Sequence, residues 1–142
     1  MTYQPPVTAL LQAMQTAGRL GSGIYEGFSA EDAEAILNEA GKFAAEKIAP
    51  LNRVGDKEGA RYANGVVTTA AGWKEAYRGW CDGGWSSVCG PEAFGGQELP
   101  MIMAVACTEF WNSASLAFAV NPLLTAGAIE ALSAHGSPEL KE

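Results

Sequence analysis

Pro100 divides the chain into two kinds of sequence, and that division limits the folds open to it. Before it runs a glycine-rich stretch, from Gly83-Gly84-Trp85 through Pro91-Glu92-Ala93-Phe94-Gly95-Gly96-Gln97 to Leu99. After it come two apolar runs with helical periodicity, from Met101 to about Ser113 and from about Ser115 to His135. A glycine pair closes one helix, a rigid loop follows, and a proline opens the next. Helices apolar on most sides sit in the middle of a bundle or against a partner surface. Gly136 stops the second run. Ser137-Pro138-Glu139 then signals one more helix, with a cap, a proline at the first position and an acid in the first turn. A capped helix begun so near Glu142 predicts the front part of a longer polypeptide.

The upstream sequence reads as helices too. Val7, Leu10, Leu11, Met14 and Ala17 fall on one stripe, and Gly18, Gly21 and Gly23 break it into a connector. Ser29 is an N-cap with Asp32 three residues behind it. The helix it starts places Ala33, Ile36, Leu37, Ala40, Phe43, Ala44, Ile48 and Leu51 on one face, and Pro50 should kink or end it. Residues 52–67 read as loop, with an Asn64-Gly65 turn. Thr69 is the expected cap of a helix whose buried stripe is Trp73, Ala76, Tyr77, Trp80 and Cys81. No segment makes a convincing strand. The expectation is an all-α bundle of about five to six helices, with an extension and glycine-rich connector over residues 1–28 and the main domain over 29–142.

Composition excludes several function classes. Sixteen acids against nine bases give a net charge of −7, which argues against nucleic acid and against an anionic membrane surface. Three cysteines with no CxxC pair argue against a disulfide framework and fit a reducing, cytoplasmic setting. One histidine, His135, leaves no metal site of the zinc type and no Ser-His-Asp arrangement; at a helix C-terminus it suits the dipole. The longest unbroken apolar run, Met101 to Cys107, is too short for a membrane span.

Gly90–Gly96 invites comparison with a phosphate loop, but a helix precedes it, Glu92 makes it acidic, and Leu99-Pro100 separates it from the next helix. Trp73, Trp80 and Trp85 read as core packing rather than a stacking platform, and Met101 and Met103 as gap-fillers. Glu109, the acid deep in an apolar run, is expected to be buried with a hydrogen-bond or ionic partner. Pro122 inside the last long helix either shapes a pocket wall or simply kinks the helix to fit a neighbour. No complete active site exists among these residues.

The order of these signals resembles the N-terminal α-helical domain of the acyl-CoA dehydrogenases. The resemblance rests on Gly84-Trp85, Pro91-Glu92-x-Phe94-Gly95-Gly96-Gln97, Leu99-Pro100, the position of Glu109, Leu124-Thr125-x-Gly127-Ala128-Ile129 and His135-Gly136-Ser137. Ala49-Pro50-Leu51 with Asp56, and Gly72-Trp73-Lys74-Glu75-Ala76, also fit, so that it covers about residues 30–142. It implies an FAD enzyme that oxidises an acyl-CoA thioester to the 2-enoyl-CoA, with the flavin supplying the redox chemistry. It further implies a middle β-domain and a C-terminal helical bundle that carry the catalytic glutamate and most flavin contacts. It therefore assigns no catalytic and no cofactor-binding residue to this chain. Its implied contribution is part of the acyl-chain pocket, through Phe118, Ala119, Pro122, Leu123 and Ala126. The implied partners are the acyl-CoA, the other domains, an electron acceptor and a homo-oligomer. A fragment of this kind would be inactive alone and would self-associate through exposed apolar helices. The competing readings are a catalytically silent all-α binding or assembly module and an unrelated helical bundle.

Overall fold

The computed structural model describes residues 3–141. It is an all-α bundle, and the helices are built by the sequence signals above with four changes. Helix α1 spans Val7–Thr16 and buries Met14. Helix α2, Ala30–Phe43, starts at Ser29, whose Oγ accepts from the Asp32 N–H at 3.0 Å and donates to the Asp32 carboxylate at 2.7 Å. The first bond occupies a backbone N–H that the first turn would otherwise leave open, and the second holds the two side chains together at the cap.

Pro50 does not end the helical path. Residues Ala44–Ile48 form a wider π-type turn, and helix α3, Ala49–Glu58, continues with Pro50 in its first turn. The wider turn ahead of Pro50 makes room for it: in an unbroken α-helix its ring would crowd the carbonyl four residues back and its missing N–H would leave that bond unmade. The first half of the expected loop at 52–67 is therefore helix. Its second half is a β-hairpin, with β1 Arg61–Ala63 paired antiparallel to β2 Val66–Thr68. Asn64 and Gly65 both have positive φ, 52° and 79°, the requirement of the tight turn that matches strand twist.

Helix α4, Trp73–Asp82, begins after Gly72, not at Thr69. The Glu58 carboxylate accepts the Ala71 N–H at 3.0 Å, which ties residues 69–72 to the end of α3 as a turn. Helix α5, Met101–Ala114, and helix α6, Leu116–His135, follow Pro100 and are joined through one extended residue, Ser115. Ser115 is buried, and its Oγ donates to Asn52 Oδ1 of α3 at 3.4 Å. A short helix α7, Pro138–Lys141, follows Gly136.

The core lies between α2, the π-type turn and α5, with Leu37, Ile48, Met103, Cys107 and Phe110 fully buried. Residues 3–28, outside the main domain expected from sequence, pack onto the same core through α1 against α2. Helix α6 is held by Phe118, Ala119 and Pro122 and is otherwise largely exposed. Its 20 residues and mean hydropathy of 1.4 are long and apolar enough to cross a membrane, although no unbroken apolar run of that length exists. In this fold it packs along one side only, against α5 and α3.

Candidate functional site

The glycine-rich stretch folds into a loop bonded to itself. Helix α4 stops at Gly83, and Gly84, at φ 76°, turns the chain so that Trp85–Ser87 makes one 3₁₀ turn. Coming back, the Gln97 N–H donates to the Ser87 carbonyl at 3.0 Å, Glu98 to Gly90 at 2.9 Å and Leu99 to Val88 at 2.9 Å. The Gln97 side-chain amide donates to the Gly84 carbonyl at 2.7 Å. Gly96 lies so close to Gly90 that a Cβ there would overlap the Gly90 carbonyl. The amides of Phe94, Gly95 and Gly96 also bond within the loop. Those N–H groups are spent within the loop and are not free to cradle a phosphate.

Beneath the loop, α5 and α6 complete a cleft of about 510 Å³. The loop supplies Trp85, Val88 and Cys89, α4 supplies Trp80, α5 supplies Met101, Ala104 and Trp111, and α6 supplies Ala119, Pro122, Leu123 and Ala126. Trp85 and Trp111 meet edge to face, with centroids 5.5 Å apart at 66°. Trp111 also meets Phe43 at 6.0 Å and 88°, which fixes it against the core. The polar lining is sparse: Ser86, Ser87, Thr108, Ser133 and one carboxylate, Glu130. Volume and lining suit a largely apolar ligand.

Two thiols face this cleft. Burial pushes the Cys89 thiol up, and pushes Cys107 up to about 12. Both stay protonated at neutral pH and act as polarisable apolar surface rather than as nucleophiles.

Four of the five residues expected at the acyl pocket therefore share one cleft. Phe118 does not join them. Its ring is buried beside the cleft against α4, with Trp73 at 6.0 Å, Tyr77 at 6.5 Å and Trp80 at 6.5 Å. Ala119, Pro122, Leu123 and Ala126 follow the i, i+3, i+4, i+7 repeat along one stripe, and Phe118 lies at the edge of that stripe, turned toward α4. Glu109 is exposed, not buried, and needs no partner. Sequence reasoning missed Trp85, Trp111, Cys89 and Cys107 as cleft residues. The placement of Trp85 directly after a helix-ending glycine pair was the available signal.

The cleft offers no Lys or Arg to a diphosphate, and Glu130 opposes one. The residues of this chain do not by themselves fit a flavin dinucleotide, and no redox step is derived from them.

The model of the acyl-CoA dehydrogenase N-terminal domain matches residues 30–142, which contain the whole loop and cleft. This chain belongs to the acyl-CoA dehydrogenase family. A 3-methylmercaptopropionyl-CoA dehydrogenase of Ruegeria pomeroyi is 43% identical over 145 aligned positions, covering 99% of this chain and 25% of that protein. The chain thus spans about a quarter of the length of this acyl-CoA dehydrogenase relative, and the likeness includes the α1 segment that precedes the family match.

Proposed function

We propose that this chain is the helical domain with which an FAD-dependent acyl-CoA dehydrogenase builds one wall of its acyl pocket. The observation that carries the reading is the apolar cleft holding Ala119, Pro122, Leu123 and Ala126 inside the residues matched by the family. The reaction is removal of hydrogen from Cα and Cβ of an acyl-CoA thioester, giving the 2-enoyl-CoA. The catalytic base and the flavin site are supplied by the rest of that enzyme, so the 142 residues alone are inactive. The relative's substrate points to a short acyl group bearing a thioether. The free cysteines suit a cytoplasmic enzyme. The exposed face of α6 supports contact with further domains or with a second subunit.

The test is acyl-CoA oxidation, followed with an electron-accepting dye, by the flavin-loaded polypeptide that carries this domain. Short acyl-CoA esters are expected to reduce the dye, and the isolated chain to give none. Ala126→Trp overfills the cleft and raises KM by about tenfold. Failure to oxidise any acyl-CoA would overturn the reading and favour a catalytically silent assembly module, which the exposed α6 face would also serve.

A further inference from the structure

We infer that Trp85 is the specificity-determining residue of the cleft, recognising the sulfur of a thioether-bearing acyl group through a sulfur–indole contact. The inference rests on the acyl-CoA reading above and names the residue that selects among acyl groups.

The cleft is lined by three indoles, Trp80, Trp85 and Trp111. Two of them are committed to the core, at 3% and 4% exposure for Trp80 and Trp111. Trp85 is only half-buried and has ring surface left to meet a ligand. No Lys or Arg reaches the lining, so discrimination among acyl groups has to come from shape and polarisability. A methylene and a thioether sulfur bury similar apolar area. Sulfur gains an added attraction when it sits about 5 Å from an aromatic ring, often at the ring edge.

Such a contact depends on where the ring stands, and Trp85 is held from four sides. Gly84 turns the backbone, and Gln97 clamps the Gly84 carbonyl at 2.7 Å. The indole Nε1 packs on Gly83, where a Cβ would stand 2.8 Å away, and Trp111 meets the ring at 5.5 Å. A ring fixed before the ligand arrives loses little entropy on binding it. The loop hydrogen bonds thus set the geometry of recognition, and Gln97 is the positioning residue.

The experiment compares two esters that differ only in a sulfur for a methylene, 3-methylmercaptopropionyl-CoA and pentanoyl-CoA. Each is offered to the flavin-loaded polypeptide that carries this domain, and its apparent affinity is read as KM in the dye assay, with free CoA as the blank. The thioether ester is expected to bind about two- to tenfold tighter, the range of a sulfur–aromatic contact. Trp85→Leu brings the ratio to about one, and Trp85→Phe keeps most of it. Circular dichroism reports whether each variant is folded. Equal affinity for the two esters in the unaltered chain, or a preference that survives in Trp85→Leu, overturns the assignment while leaving the acyl-CoA reading in place. Oxidation of neither ester overturns both.

Discussion

Trp80 meets Phe118 edge-on, with ring centroids 6.5 Å apart at 80°. The contact joins α4 to α6, and Trp73 and Tyr77 close around the same phenyl ring. The indole N–H groups of Trp73 and Trp80 are buried and have no hydrogen-bond acceptor among the described residues. Trp73 Nε1 lies against Gly55 of α3, and the Trp80 ring stands between Tyr77 and Phe118. Phe118 is therefore the keystone of an aromatic cluster that anchors α6. Phe118→Ala is expected to destabilise the fold by about 3–5 kcal/mol, the cost of emptying a buried aromatic site. Urea unfolding checks this. A loss under about 1 kcal/mol would show that α6 is held by other contacts.

The loop brace predicts a smaller and more local effect. Gln97→Leu removes the donor to the Gly84 carbonyl and is expected to cost about 1 kcal/mol. Because the same bond orders the turn that carries Trp85, acrylamide quenching of the tryptophan fluorescence should increase. Lost stability with unchanged quenching would mean that Trp111 alone fixes the Trp85 ring.

The parts of the fold that were legible in the sequence are those whose signals are local. Ser29 and Asp32 specify the start of α2 through a bond three residues long, and Pro100 and Gly136 bracket the two apolar helices. The hairpin was hidden because strands of three exposed residues carry no alternation to read. Pro50 misled because the widened turn before it was not visible in the residue pattern. Glu109 misled because its sequence neighbours are apolar. Counting the helical repeat corrects it: Met103, Ala106, Cys107, Phe110 and Ala114 make the buried face, and Val105, Glu109 and Asn112 the outer one. The cleft itself joins residues 80–91 to residues 101–133, and such pairing leaves no mark on either segment.

Cys107 makes stability depend on alkaline pH. Its thiol is held protonated to about 12 by burial, whereas the unfolded chain ionises near the ordinary value of 9.0. Above that value the unfolded state has released a proton that the folded state still binds. Unfolding then becomes easier as pH rises, by up to ~1.4 kcal/mol per unit until the folded thiol also ionises. The full contribution is present below pH 9.0 and is lost towards about 12. Cys107→Ala is expected to be less stable at neutral pH and to show a shallower alkaline decline. Denaturant midpoints at several alkaline pH values give the slope. An identical slope in the variant would assign the decline to other groups.

Helix α6 predicts how the chain behaves in solution. Leu116, Val120, Leu123 and Leu124 are 61, 51, 61 and 73% exposed, and the helical repeat gathers them on one side. Contiguous apolar surface of this kind drives association, and a second copy of the chain offers the same surface to it. Sedimentation velocity should show weight-average mass rising with concentration. Leu116→Lys with Leu124→Lys places two charges on the patch and should return the chain to monomer. Because both positions are solvent-exposed, the melting temperature of the monomer should change little. A single monomeric boundary at every concentration for the unaltered chain would show that α6 stays solvated despite its composition. Association that persists in the double variant would move the contact to another surface, with the hairpin residues Tyr62, Val66 and Val67, exposed at 75, 62 and 65%, the next to substitute.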